Sequence, residues 1–279
     1  MAMSIASTFS VATGLAKRRF APLLGILASY FLIQIALMGG FFIAMGSSLL
    51  PVLAGISPGV QAEAGPGAGF FVGLFVFYLL LILLSAARAG SMCAMATPLR
   101  DPGFGDAVAT GVRRAPTLLG VFVLLLLGYV IAALLFAILA GVLSLLGAVG
   151  AVISVVATVG ALFYVVGRLA VVIPVVAVED IGNPISAIKR SLALTRGYVL
   201  KIIGVFVLFG LAAGVLLAIV LVPLVRTVTS AQALGEMPDL GTMGGSIAGF
   251  MIIGVILSIA GAAIQSALHA ELSGSAGGV

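Results

Sequence analysis

Residues 115–167 read APTLLGVFVLLLLGYVIAALLFAILAGVLSLLGAVGAVISVVATVGALFYVVG, and no charged side chain occurs between Arg114 and Arg168. That run is long enough for two membrane-crossing segments of about 20 residues each. A barrel strand would alternate polar and apolar residues, whereas Leu118–Leu127 is apolar on every side. Helices follow, because a backbone surrounded by hydrocarbon has to satisfy its own hydrogen bonds. Gly141, Gly147 and Gly150 mark a short turn inside the run, so it reads as two antiparallel spans.

The rest of the chain agrees. Of its 279 residues only 8% are charged and 63% are hydrophobic, with a mean hydropathy of +1.38. A water-soluble domain carries roughly a quarter charged residues, so no aqueous surface can be built from this composition. Six spans are predicted at Phe20–Met45, Gly69–Ala87, Thr117–Ala140, Val149–Ile173, Ile202–Val225 and Ser246–Leu268. The expected fold is an all-α integral membrane protein, a single polytopic domain over residues 1–279. Pro51, Pro58, Pro66 and several glycines make the segment between spans 1 and 2 a loop, and residues 274–279 read as a flexible tail. The first 16 residues carry no charge and the basic cluster Lys17-Arg18-Arg19 follows them, the reverse of signal-peptide order, so no cleavable leader is expected.

Orientation follows from Lys and Arg counted segment by segment. Lys17, Arg18 and Arg19 precede span 1. Arg88, Arg100, Arg113 and Arg114 join spans 2 and 3, and Lys189, Arg190, Arg196 and Lys201 join spans 4 and 5. The opposite side has only Arg226, against Glu63, Glu236 and Asp239. Both termini are therefore expected in the cytoplasm.

The basic segments also recur. Val11-Ala12-Thr13-Gly14 returns as Val108-Ala109-Thr110-Gly111, and a basic pair, a proline and Leu-Leu-Gly follow each copy. Gly120–Leu124 and Gly204–Leu208 are both Gly-Val-Phe-Val-Leu. The spans are thus expected as three tandem helical hairpins, each preceded by a short cytoplasmic amphipathic helix, in units of about 1–87, 88–167 and 168–273. In the third unit Asn183 can cap a helix that opens on Pro184. Ile185, Ile188 and Leu192 fall on one face of it, with Ser186, Lys189, Arg190 and Arg196 largely on another. Such a helix either lies in the headgroup plane or packs on the mouth of the bundle with its charges solvated.

Chemistry-bearing groups are scarce. There is no HExxH, GxSxG or Walker phosphate loop, the one cysteine, Cys93, permits no internal disulfide, and the one histidine, His269, reads as a solvated interfacial side chain. No catalytic residue, metal or cofactor is expected. Arg168, near the inner end of span 4, is the candidate intramembrane charge. It is placed to snorkel to headgroups, to pair structurally with Glu179 or Asp180, or to hold an anionic ligand. With no Asp, Glu or His expected in the interior, proton-coupled transport is not expected.

At Arg168-Leu-Ala-Val-Val-Ile-Pro174, Val178-Glu179-Asp180 and Ala187-Ile-Lys-Arg-Ser-Leu-Ala-Leu-Thr-Arg-Gly197, the chain resembles a bacterial family. It is similar there to the membrane domain attached to some glycerophosphoryl diester phosphodiesterases. The resemblance implies a multi-pass protein of the bacterial inner membrane. It carries over no activity, because the phosphodiesterase chemistry of such proteins resides in a separate soluble barrel. The expected function is non-enzymatic: binding of lipid or a partner protein at the cytoplasmic face, through Arg168, Lys189, Arg190 and Arg196. Anionic membrane lipids are the expected partners, with a protein partner or a homodimer as further options and no nucleic acid. The alternative is a transporter or flippase-like protein for a lipid or amphipathic substrate.

Overall fold

The computed structural model describes residues 4–56, 68–234 and 240–276. Among them are nine helices and no strand: α1 (Ile5–Arg18), α2 (Phe20–Ile56), α3 (Ala68–Ala96), α4 (Phe104–Ser144), α5 (Gly147–Leu169), α6 (Val172–Val178), α7 (Pro184–Leu194), α8 (Val199–Leu234) and α9 (Leu240–Ala276). Six stretches are long and apolar enough to cross a membrane: Phe20–Gly46, Ala68–Ala96, Phe104–Ser144, Gly147–Val178, Val199–Ala231 and Gly241–Gly274.

The exterior is what water would forbid. Leu134, Leu135, Ile138 and Val156 expose 62%, 63%, 67% and 66% of their surface. A contiguous apolar surface of this kind is tolerated in lipid, not in water. Burial instead gathers at the end of the bundle that carries the basic segments. There Leu23, Ile26, Val175, Val176, Ile202, Ala263 and Leu268 are closed off together with the polar Thr8, Ser91, Ser191, Thr195, Ser266 and His269. The protein is an all-α integral membrane protein.

Several helices outrun their expected bounds. α2 continues through Pro51 to Ile56, where a loop is expected, and α9 takes in residues 274–276 of the expected tail. The remaining loop residues 57–67 and tail residues 277–279 lie outside the described segments. α3 ends at Ala96, not Ala87, so Arg88 sits inside a helix rather than in a connecting segment. The stop comes from Pro98, which disfavours helical backbone in the residue before it. Residues 90–96 stay helical because they are buried against α4. A Cβ on Gly90 would lie 3.3 Å from Gly111 Cα, and one on Gly111 would overlap Ser91 Oγ and Ala87 O. Two glycines let α3 and α4 touch backbone to backbone.

α1 and α7 are separate short helices ahead of spans 1 and 5. Ahead of span 3 the chain forms no separate helix, since residues 104–115 are the first turns of α4, which runs through Pro116 without a break. The α4–α5 turn is as tight as its glycines suggest. Gly147 has φ 62°, and a Cβ on Gly150 would overlap Leu143 O.

Candidate functional site

The basic end is built around the break between α5 and α6. Proline lacks an N–H and cannot continue the helical ladder, and with Pro174 in its first turn α6 starts anew after Ala170-Val171. The Arg168 carbonyl, in the last turn of α5, accepts hydrogen bonds from Ser191 Oγ (3.0 Å) and Thr195 Oγ1 (3.2 Å) of the α7 segment. The Arg168 side chain turns the same way. Its Nη1 donates to Leu192 O at 2.7 Å and approaches Thr195 Oγ1 at 3.4 Å, with the guanidinium 6.0 Å from the Tyr164 ring centre. A cation is thereby set on the electronegative end of α7.

Arg168 therefore does not pair with Glu179 or Asp180. Those residues follow α6, which carries them away toward α4, α7 and α9. Glu179 accepts from Arg190 Nε (2.8 Å) and lies 2.9 Å from His269 Nε2. Asp180 accepts from Arg114 Nε (2.9 Å) and Arg113 Nη2 (3.1 Å). Burial pushes the Glu179 carboxyl up, but the hydrogen bonds and charges of Arg190 and His269 outweigh it and hold the group below 4.5. Asp180 is also held below its ordinary value, by the Arg114 hydrogen bond and then by the charges of Arg114 and Arg113. A positive φ of 60° at Asp180 aims its side chain back at α4.

His269 is the residue that sequence reasoning placed wrongly. It is fully buried, because α9 continues past it and packs on α1, α6 and α7. Its Nε2 faces a carboxylate, so that nitrogen carries a proton and donates to Glu179 Oε1. Nδ1 is buried with no hydrogen-bond partner among the described residues. Two residues further along α9, Glu271 Oε2 accepts from Thr8 Oγ1 of α1 at 2.8 Å. Arg19, at the α1–α2 junction, binds Met95 O, Arg100 O and Asp101.

α7 combines features of both readings of its sequence. Asn183 Oδ1 accepts from Ile185 N (2.9 Å) and Ser186 N (3.4 Å), and Pro184 takes the first helical position. The face against the bundle is Ala187, Ser191 and Leu194, narrower and smaller than the isoleucine face, and Ile185 stays exposed. Lys189 and Arg196 are exposed, as are Lys17 and Arg18 of α1, and none of the four makes an ion pair among the described residues.

Among the described residues no group of three or more His, Cys, Asp or Glu could hold a metal ion. No family model matches the chain, and no curated protein or solved structure matches it.

Proposed function

We propose that this chain is a non-enzymatic inner-membrane protein whose basic end faces the cytoplasm and binds the headgroups of anionic lipids. One observation carries the reading. The acids of the α6–α7 region, Glu179 and Asp180, are each held by an arginine, whereas Lys189, Arg196, Lys17 and Arg18 project without ion partners among the described residues. Lys17 and Arg18 sit on α1, Lys189 on α7 and Arg196 in the turn that follows α7, all at one end of a lipid-immersed bundle that also exposes Ile185. Each basic residue near an anionic leaflet contributes about 1 kcal/mol. Of the four side chains first expected to contact headgroups, Lys189 and Arg196 keep that role. Arg190 is engaged by Glu179 and Arg168 by the end of α7, so both act by fixing α7. The resemblance to the membrane domain of glycerophosphoryl diester phosphodiesterases agrees with a module that works at the membrane without chemistry of its own.

The test is the lipid that travels with the purified chain. In mild neutral detergent it should retain phosphatidylglycerol in preference to phosphatidylcholine offered in equal amount. Equal retention of the two would end the proposal.

A further inference from the structure

We propose a second site, a small oxyanion-binding cleft between α2 and α3 centred on Arg88. Tyr30, Gln34, Leu81, Leu84, Ser85 and Arg88 line a cleft of about 160 Å³ within the span region of both helices. Three of its four polar side chains are uncommitted among the described residues. The side chains of Arg88, Gln34 and Ser85 make no hydrogen bond or ion pair among the described residues. Tyr30 is the committed one, donating to Ser91 Oγ at 3.0 Å since Ser91 itself donates to Ala87 O.

Arg88 cannot be read as an anchor at the basic end. Eight residues of α3 lie beyond it, about 12 Å of helix at 1.5 Å per residue. Helical side chains lean toward the N-terminus of their own helix, which for Arg88 is away from that end. The other α3 residues lining the cleft, Leu81, Leu84 and Ser85, all precede it, which agrees with that direction. A half-buried guanidinium inside a span, with no carboxylate paired to it among the described residues, calls for an anion. Its planar fork matches two oxygens of a carboxylate or phosphate. The Gln34 amide and the Ser85 hydroxyl supply further donors. The cleft is roomy enough for one such group together with bridging water. Ser85 is exposed on the outside of α3, so an amphiphile can enter sideways from the bilayer.

The site is separate from the α7 surface, and the experiment keeps them apart. Binding of oleate, oleyl alcohol and inorganic phosphate to the full chain in phosphatidylcholine nanodiscs is measured at alkaline pH. Oleate should bind and oleyl alcohol should not. R88Q should weaken oleate by about tenfold or more, R88K by less, and Q34L by about threefold. A K189Q/R196Q variant should bind oleate like the parent. Phosphate binding that depends on Arg88 would support the same cleft with a soluble anion as its source, and oleate binding alone would assign it to an amphiphile. Oleate held equally by R88Q, or oleyl alcohol bound as well as oleate, would overturn the proposal. Should R88Q not fold, unchanged oleate affinity in Q34L overturns it instead.

Discussion

Replacing Arg168 by alanine separates a structural from a ligand-binding arginine. The side chain donates to Leu192 O at 2.7 Å and approaches Thr195 Oγ1 at 3.4 Å, at the C-terminal turn of α7. The second distance is long, so one good charge-assisted bond dominates. Such a bond contributes about 1.5–3 kcal/mol, and a cation at a helix C-terminus adds up to about 1 kcal/mol at partly exposed sites. Arg168 is half-buried, which places the expected loss near the lower part of that range, about 2 kcal/mol. Ser191 and Thr195 remain bonded to the Arg168 carbonyl, a backbone atom the substitution leaves in place. α7 should therefore loosen at its C-terminal end without leaving the bundle. The assay is reversible unfolding in a mixed-micelle titration, with retained phosphatidylglycerol quantified on the same samples. R168A should unfold about 2 kcal/mol more easily and retain most of its lipid. Unchanged stability together with lost lipid would refute the structural role and return Arg168 to the headgroup site.

Other expectations come from packing, titration and topology. G111A should cost about 3 kcal/mol, because its Cβ would overlap Ser91 and α3 backbone, and overpacking of a tight contact runs to that size. G128A, with nothing within 4 Å of its new methyl, should be neutral or stabilising by about 0.5 kcal/mol in the same titration. Glu179 has a depressed pKa, so its stabilising contribution is complete above 4.5, its ordinary value, and is lost as pH falls through the lower folded value. Stability should fall as the pH drops from 4.5 through that lower value, and E179Q should flatten the drop; an equally steep profile in E179Q would count against the pair with Arg190 and His269. Reporter fusions after Glu63 and near Met237 should read periplasmic, and those near Gly103, Asn183 and the C-terminus cytoplasmic. A periplasmic C-terminus would contradict the orientation.

What the sequence shows well is what lipid imposes locally. Uncharged runs identify six spans, and Asn183-Pro184 announces the start of α7, because both signals act within a few residues. Where helices end was harder to see. Arg88 looks like the end of span 2 to a hydropathy reading, yet the buried run from Gly90 to Ala96 carries the helix on, and only Pro98 stops it. That proline was the available signal. The pairing of Asp180 with Arg113 and Arg114 joins residues 67 and 66 positions apart, and no local pattern encodes it. His269 looks solvated because charged and small residues follow it. Its burial is decided by α1 and α6 packing on α9, a tertiary fact. Arg168 stands out in the sequence as a charge within an apolar span, but its partner is the Leu192 carbonyl at the end of α7, a group that sequence does not display as charge.

The central claim is that the exposed basic side chains on and just after the short helices, without ion partners among the described residues, hold anionic headgroups, and the K189Q/R196Q variant tests it most directly. Two basic residues at about 1 kcal/mol each correspond to about a 30-fold loss of affinity for phosphatidylglycerol at low salt. Exposed charges are screened within about 10 Å at moderate ionic strength, so raising the salt should shrink the difference between parent and variant. Titration of phosphatidylglycerol into nanodisc-held protein, at low and high salt, is the measurement. A weakened, less salt-sensitive variant is the predicted result. A variant that binds as the parent does at both salt concentrations would contradict the account and leave these residues as orientation signals alone.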